Sequence, residues 1–195
     1  MLVVEGTKLL GILTERDLVK LASVGMELSG VKVAEVVVQP TISIRESDAQ
    51  NVFTTLSLFR QHSIRHLPVL DDRDRLAGII TQGSISQALK PVNLLKCRSV
   101  VDTMTTEVVQ AAANVSVLSL AQLMVDRRVS CVAIVERDAE NWIVPVGIIT
   151  ERDIVQFQVL ELDLDRIQAR TVMSTPLFCL SPVDSLWTAN AEMQR

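Results

Sequence analysis

Tyrosine is absent from this 195-residue chain, and aromatic residues make up only 3% of it. The core must therefore be aliphatic, and the many Val and Ile residues predict buried strands beside the helices. Cysteine occurs three times, as Cys97, Cys131 and Cys179, with no CxxC pair. An odd thiol fits a reducing cytosol better than a disulfide framework, and Cys131, inside an apolar run, reads as a small core residue. An excess of basic charge is also missing: 19 basic against 23 acidic residues give a net charge of −4. A nucleic-acid partner needs a basic face, and the doublet Arg127-Arg128 reads as a solvated helix end. No apolar run approaches the roughly 20 residues of a membrane span, and no secretory leader is recognisable, so a cytoplasmic location is expected.

The means for catalysis are equally thin. There is no Ser-His-Asp order, nucleophile elbow, Walker loop or Gly-rich phosphate loop. The two histidines, His62 and His66, are expected to be separated by a helix-to-strand turn, which spoils a helical metal pair. Glu161, Asp163 and Asp165 alternate with leucines and read as the solvated face of a linker. An enzyme is not expected, nor a metal, nor a required cofactor.

What the chain does contain is repetition. Gly11-Ile12-Leu13-Thr14-Glu15-Arg16-Asp17 returns as Gly147-Ile148-Ile149-Thr150-Glu151-Arg152-Asp153, with Gly78-Ile79-Ile80-Thr81-Gln82-Gly83-Ser84 between them, at offsets of 67 and 69 residues. Val37, Met104 and Met173 repeat the same two offsets. Two landmarks in one phase establish a period near 68.

The second copy predicts a strand at 41–44 and a helix capped by Ser47 or Asp48 with Val52, Phe53, Leu56 and Phe59 inward. A strand at 66–70, a polar turn at 71–74, a strand at 76–81 and a helix at 84–89 stopped by Pro91 follow. The third copy predicts a strand at 108–111 and a helix at 115–127 with Leu118, Ala121, Leu123 and Met124 inward. It continues with strands at 131–135 and 143–150 and a helix at 154–160. Each unit is β-α-β-β-α, an α/β fold.

Residues 1–30 supply only the second half of a unit, residues 31–96 and 97–165 two whole units, and residues 166–195 only a first half. The last half ends at Arg195, within the apolar pattern of Leu186, Ala189 and Met193. Half-units leave strand edges and helix faces unpaired, so either the chain is part of something longer or the halves complete each other. Exposed apolar faces at both ends predict a homodimer.

The repeated GI[IL]TERD segment, the strand Arg65-His66-Leu67-Pro68-Val69 and the β-α-β-β-α unit resemble CBS domains, and the likeness covers the whole chain. The resemblance implies repeats paired about pseudo-twofold axes into Bateman modules. It also implies a cleft for an adenosine-containing ligand such as AMP, ADP or ATP, and control of an attached output domain. The sequence is also similar in style to CBS regions upstream of bacterial signalling kinases and cyclases. By this resemblance Thr14, Asp17, Thr150 and Asp153 face the ligand. A carboxylate where a strand becomes a helix can accept both hydroxyls of a ribose, beside N–H groups suited to phosphate. The same residues are also ordinary helix caps. The second copy keeps Thr81 but has Ser84 in place of the acid, a weaker, neutral partner. Arg65, His66 and Pro68, with Ser130, Cys131 and Ala133, match the family's adenine-holding strand. Core packing and strand pairing account for them equally well, except for Arg65, a long cation that can reach a phosphate, although a solvated strand end is the commoner fate of such a residue. Two functions follow: a nucleotide sensor regulating a signalling domain, or a dimerising scaffold indifferent to nucleotide. Which repeats pair is left open.

Overall fold

The computed structural model describes residues 1–26, 28–38, 40–89 and 98–193; Pro91, Cys97 and Arg195 lie outside the described residues. In chain order the strands are β1 (Leu2–Glu5), β2 (Lys8–Ile12), β3 (Ile44–Arg45), β4 (His66–Leu70), β5 (Leu76–Thr81), β6 (Gln110–Ala112), β7 (Cys131–Arg137) and β8 (Ile143–Thr150). Helices of eight residues or more are α1 (Glu15–Ser23), α2 (Val52–His62), α3 (Gln82–Leu89), α4 (Val117–Arg127), α5 (Glu151–Val159) and α6 (Leu186–Met193).

One hairpin design recurs three times. Gly6, Asp74 and Asn141 each take left-handed backbone (φ 60°, 57° and 68°) at the turn, a conformation open to Gly and tolerated by Asp and Asn. Asp71 Oδ1 accepts the N–H groups of Arg73 and Arg75 at 2.9 and 2.8 Å, and Asp138 Oδ1 those of Glu140 and Trp142 at 3.0 and 2.8 Å. A bulge follows at the same register in all three hairpins, at Val3/Val4, Val69/Leu70 and Ile134/Val135. Opposite it stand Gly11, Gly78 and Gly147, the glycines that open the repeated segment. At Gly147 a Cβ would overlap the Met173 side chain, so the two repeat landmarks meet face to face.

The compact units cut across the repeats. One gathers Met1–Leu13, Val37–Ser99 and Asp184–Arg195; the other gathers Thr14–Val36 and Val100–Val183. In the first unit β3 runs parallel to β4, and β4 antiparallel to β5. Ile44, Phe59, Leu67, Val69 and Ile85 form its core. Helix α2 starts at an Asn51 cap, whose Oδ1 accepts Phe53 and Thr54 N–H at 3.0 and 3.4 Å, and stops at left-handed Ser63. The expected cap at Ser47 or Asp48 is therefore corrected: those residues lie in a separate turn, Glu46–Ala49. The buried face runs through Thr55 and Phe59, leaving Phe53 82% exposed; the Thr55 hydroxyl donates to the Asn51 carbonyl at 3.4 Å.

In the second unit the order is β6-β7-β8, again one parallel and one antiparallel pair. Its larger core joins Val117, Leu120, Ala121 and Met124 of α4 to Val132, Ile134 and Ile149 of the sheet and Ile154 and Phe157 of α5. Val19 and Ala22 of α1 complete it. Helix α1, which carries the first TERD segment, thus closes the core built around the last one. Cys131 is exposed, not core: it begins a strand whose alternate residues Val132 and Ile134 point inward, so the apolar run placed it on the wrong side of the pleat. Among described residues 173–185 only the bridge Ile148↔Ser174 and the bridge Ser99↔Ser185 stand in for the strand expected there.

Candidate functional site

Thr14 and Thr150 occupy extended backbone one residue before α1 and α5 (φ/ψ −119/165° and −115/167°). Their helices present unsatisfied N–H groups there, and each aspartate folds back to meet them. Asp17 Oδ2 accepts the Thr14 N–H at 3.0 Å and the Thr14 hydroxyl at 2.6 Å. Asp153 Oδ2 accepts the Thr150 N–H and hydroxyl, both at 2.8 Å. The two copies differ in the second oxygen. Asp17 Oδ1 accepts Lys20 Nζ at 3.3 Å, whereas Asp153 Oδ1 has no hydrogen bond among the described residues. Each carboxylate is thus a helix cap through one oxygen, and at Asp153 the other remains available as an acceptor.

In the middle copy Thr81 and Ser84 make a neutral version of this box. Ser84 Oγ accepts the Thr81 N–H at 2.9 Å and donates to the Thr81 carbonyl at 2.8 Å. Its single proton is spent, so it can only accept from a further partner.

The strand residues stand beside these caps. His66 pairs with Thr81, and Pro68 with Ile79; Cys131 pairs with Thr150, and Ala133 with Ile148. The Ser130 carbonyl accepts Glu151 N–H at 2.9 Å. The structure therefore brings Ser130, Cys131, Thr150 and Asp153 to one end of β7 and β8, and Arg65, His66, Thr81 and Ser84 to the matching end of β4 and β5. His66 and Cys131 are exposed and Pro68 is buried. Glu161, Asp163 and Asp165 lie elsewhere. They border a depression of about 910 Å³ at the C-terminal ends of α1 and α5, roughly one nine-residue helix length, about 13 Å, from the caps.

Sequence reasoning missed two ion pairs. Arg16 Nε donates to Glu151 Oε1 at 3.1 Å, and Arg152 Nε to Glu15 Oε1 at 3.2 Å. Glu151 is among the few buried charged residues described. The signal was present: an acid-base dipeptide returns in both TERD segments, and neighbouring copies can exchange such charges.

Comparison with known proteins bears on this arrangement. The CBS domain family model matches residues 33–91 and 97–159. The chain is 36% identical over 125 residues to an inosine-5'-monophosphate dehydrogenase of Methanocaldococcus jannaschii, covering 64% of this chain and 23% of that protein. It is 29% identical over 127 residues to a homoserine O-acetyltransferase of Methanococcoides burtonii, covering 65% of this chain and 24% of that protein. The chain spans about a quarter of the length of these two relatives, and the catalytic activities in their names do not transfer with that quarter. Among solved structures, protein MJ1225 from Methanocaldococcus jannaschii superposes with a TM-score of 0.80 at 18% identity, over 99% of this chain and 76% of that one. At that identity the likeness is one of fold.

Proposed function

Because this chain belongs to the CBS-domain family, a family of regulatory modules, we propose that it senses an adenosine-containing ligand such as AMP, ADP or ATP and transmits its occupancy to an attached or partner signalling domain. The observation that carries this reading is the open Oδ1 of Asp153, held beside a helix N-terminus by a carboxylate already fixed through Oδ2. A rigid acceptor suits a ribose diol, and the positive end of the helix beside it suits a phosphate. Thr150, Ser130, Cys131 and Ala133 flank it; Thr14 and Asp17 form the equivalent site, with Arg65, His66, Pro68, Thr81 and Ser84 the third. No resident cofactor or metal is part of this reading. Among the described residues no helix is long and apolar enough to cross a membrane, and we place the module in the cytoplasm on the strength of its thiols and family.

Binding strength should follow the oxygen inventory. Calorimetry with AMP, ADP and ATP is expected to find binding that Asp153→Ala weakens by tenfold or more, in line with about 1.5–3 kcal/mol for hydrogen bonds to a charged group. Asp17→Ala is expected to cost less, since Lys20 already occupies Oδ1. No heat with any of the three nucleotides at millimolar concentration overturns the sensor. A second reading, the nucleotide-independent dimeric scaffold, is favoured by one observation: both carboxylates and Ser84 are already engaged as caps. Sedimentation with and without ATP separates the two, because the scaffold predicts a dimer that ATP leaves unchanged.

A further inference from the structure

The dipeptides between cap and aspartate, Glu15-Arg16 and Glu151-Arg152, play no part in the ligand reading. They nonetheless join the two helices that carry it. The exchange is reciprocal: each acid meets the arginine of the other copy, and both dipeptides are displaced by the same 136 residues. The two bonds are not equal. Glu151 is 4% exposed and Arg16 36%, while Arg152 is 81% exposed and Glu15 45%. An exposed pair contributes little, whereas a desolvated charge-assisted bond holds a narrow geometry. Glu151 is peptide-bonded to Thr150, and Arg16 to Asp17. One half-buried hydrogen bond and two peptide links therefore connect the cap of α5 to the carboxylate of α1.

We propose that the Arg16–Glu151 bond is a clasp that positions the Asp17 and Asp153 sites jointly, so that ligand held at Asp153 orders the α1 site and raises its affinity for a second ligand. This rests on the nucleotide reading of the two aspartates. The physical reason is that shifting one helix start alone would strip a buried carboxylate of its guanidinium. The two starts move together instead, and ordering either lowers the entropy still to be lost at the other.

The test uses the 195-residue chain in two arms. In the ligand-free arm, hydrogen exchange is followed in α1 after Asp153→Ala loosens the α5 cap. Protection of the first turn of α1 is expected to fall in that variant, and to be unaffected by the same change in an Arg16→Gln background. In the nucleotide arm, calorimetry with AMP is expected to show two sites, the second tightened about fivefold or more by the first. That factor should approach one in Arg16→Gln and persist in Arg152→Gln. The double variant Arg16→Glu with Glu151→Arg is expected to recover part of it, which a merely structural role would not. If Arg16→Gln fails to fold, Arg16→Lys is read instead, with a reduced factor expected. Loss of α1 protection that persists in Arg16→Gln, or independent sites in the unaltered chain, overturns the clasp. Absence of heat with AMP overturns the nucleotide reading, and the exchange arm still decides the clasp.

Discussion

Carboxylates in this chain do two kinds of work, and their surroundings tell them apart. Asp17 and Asp153 turn inward to cap helices and are largely shielded; the Asp17 side chain is 14% exposed. Asp71, in an exposed hairpin, gathers the Arg75 and Arg73 backbone N–H groups and the Arg75 guanidinium. The Arg75 N–H and then its guanidinium hold that carboxyl below its ordinary value. A depressed folded-state value means that the stabilising contribution is present above the unfolded value of about 3.9 and disappears as pH falls through the lower folded one. Acid unfolding followed by circular dichroism should therefore show Asp71→Asn losing stability at neutral pH and part of the pH dependence below about pH 4, so that the two proteins converge in acid. Of the candidate site residues, Thr14, Asp17, Thr150 and Asp153 were legible because a motif returned three times. The dipeptides holding Arg16 and Glu151 returned with them, but a pairing across 135 residues leaves no local spacing that shows which partner each one meets.

Elements were readable where side-chain periodicity and turn chemistry agreed. Strands β4, β5 and β8 stand as expected, since alternation, polar turns and the GIIT segment all marked them. The short parallel strands β3 and β6 start three and two residues later than alternation suggested and end one residue later, because pairing with β4 and β7, and not sequence, sets their ends. Helix α2 shows the larger error. Its true cap, Asn51, sits four residues beyond Ser47, and its buried face runs through Thr55 and Phe59, which leaves Phe53 to solvent. The inward faces make a direct prediction. Leu120, fully buried between α4 and the sheet, should lose about 2–5 kcal/mol on Leu120→Ala, whereas Phe53→Ala should stay within about 0.5 kcal/mol. Urea unfolding of the two variants provides the comparison.

At the scale of the molecule, the feature least visible in the sequence is that repeats and compact units do not coincide. Four successive segments suggested four blocks, yet residues 14–36 belong with residues 100–183. A piece spanning 100–183 alone is therefore expected to be poorly packed, with the surface that receives Val19 and Ala22 uncovered. Adding a peptide of residues 14–36 should restore cooperative melting and sharpen its amide spectrum; a piece that already melts cooperatively alone would contradict this. The same chain path has a consequence for synthesis. Helix α1 leaves the ribosome with Val19 and Ala22 unmatched, and its partner Glu151 follows 135 residues after Arg16. At about 5–20 residues per second the nascent helix must wait roughly 7–27 seconds for a core to enter. During that interval its apolar stripe is open to chaperones and to neighbouring nascent chains on the same message.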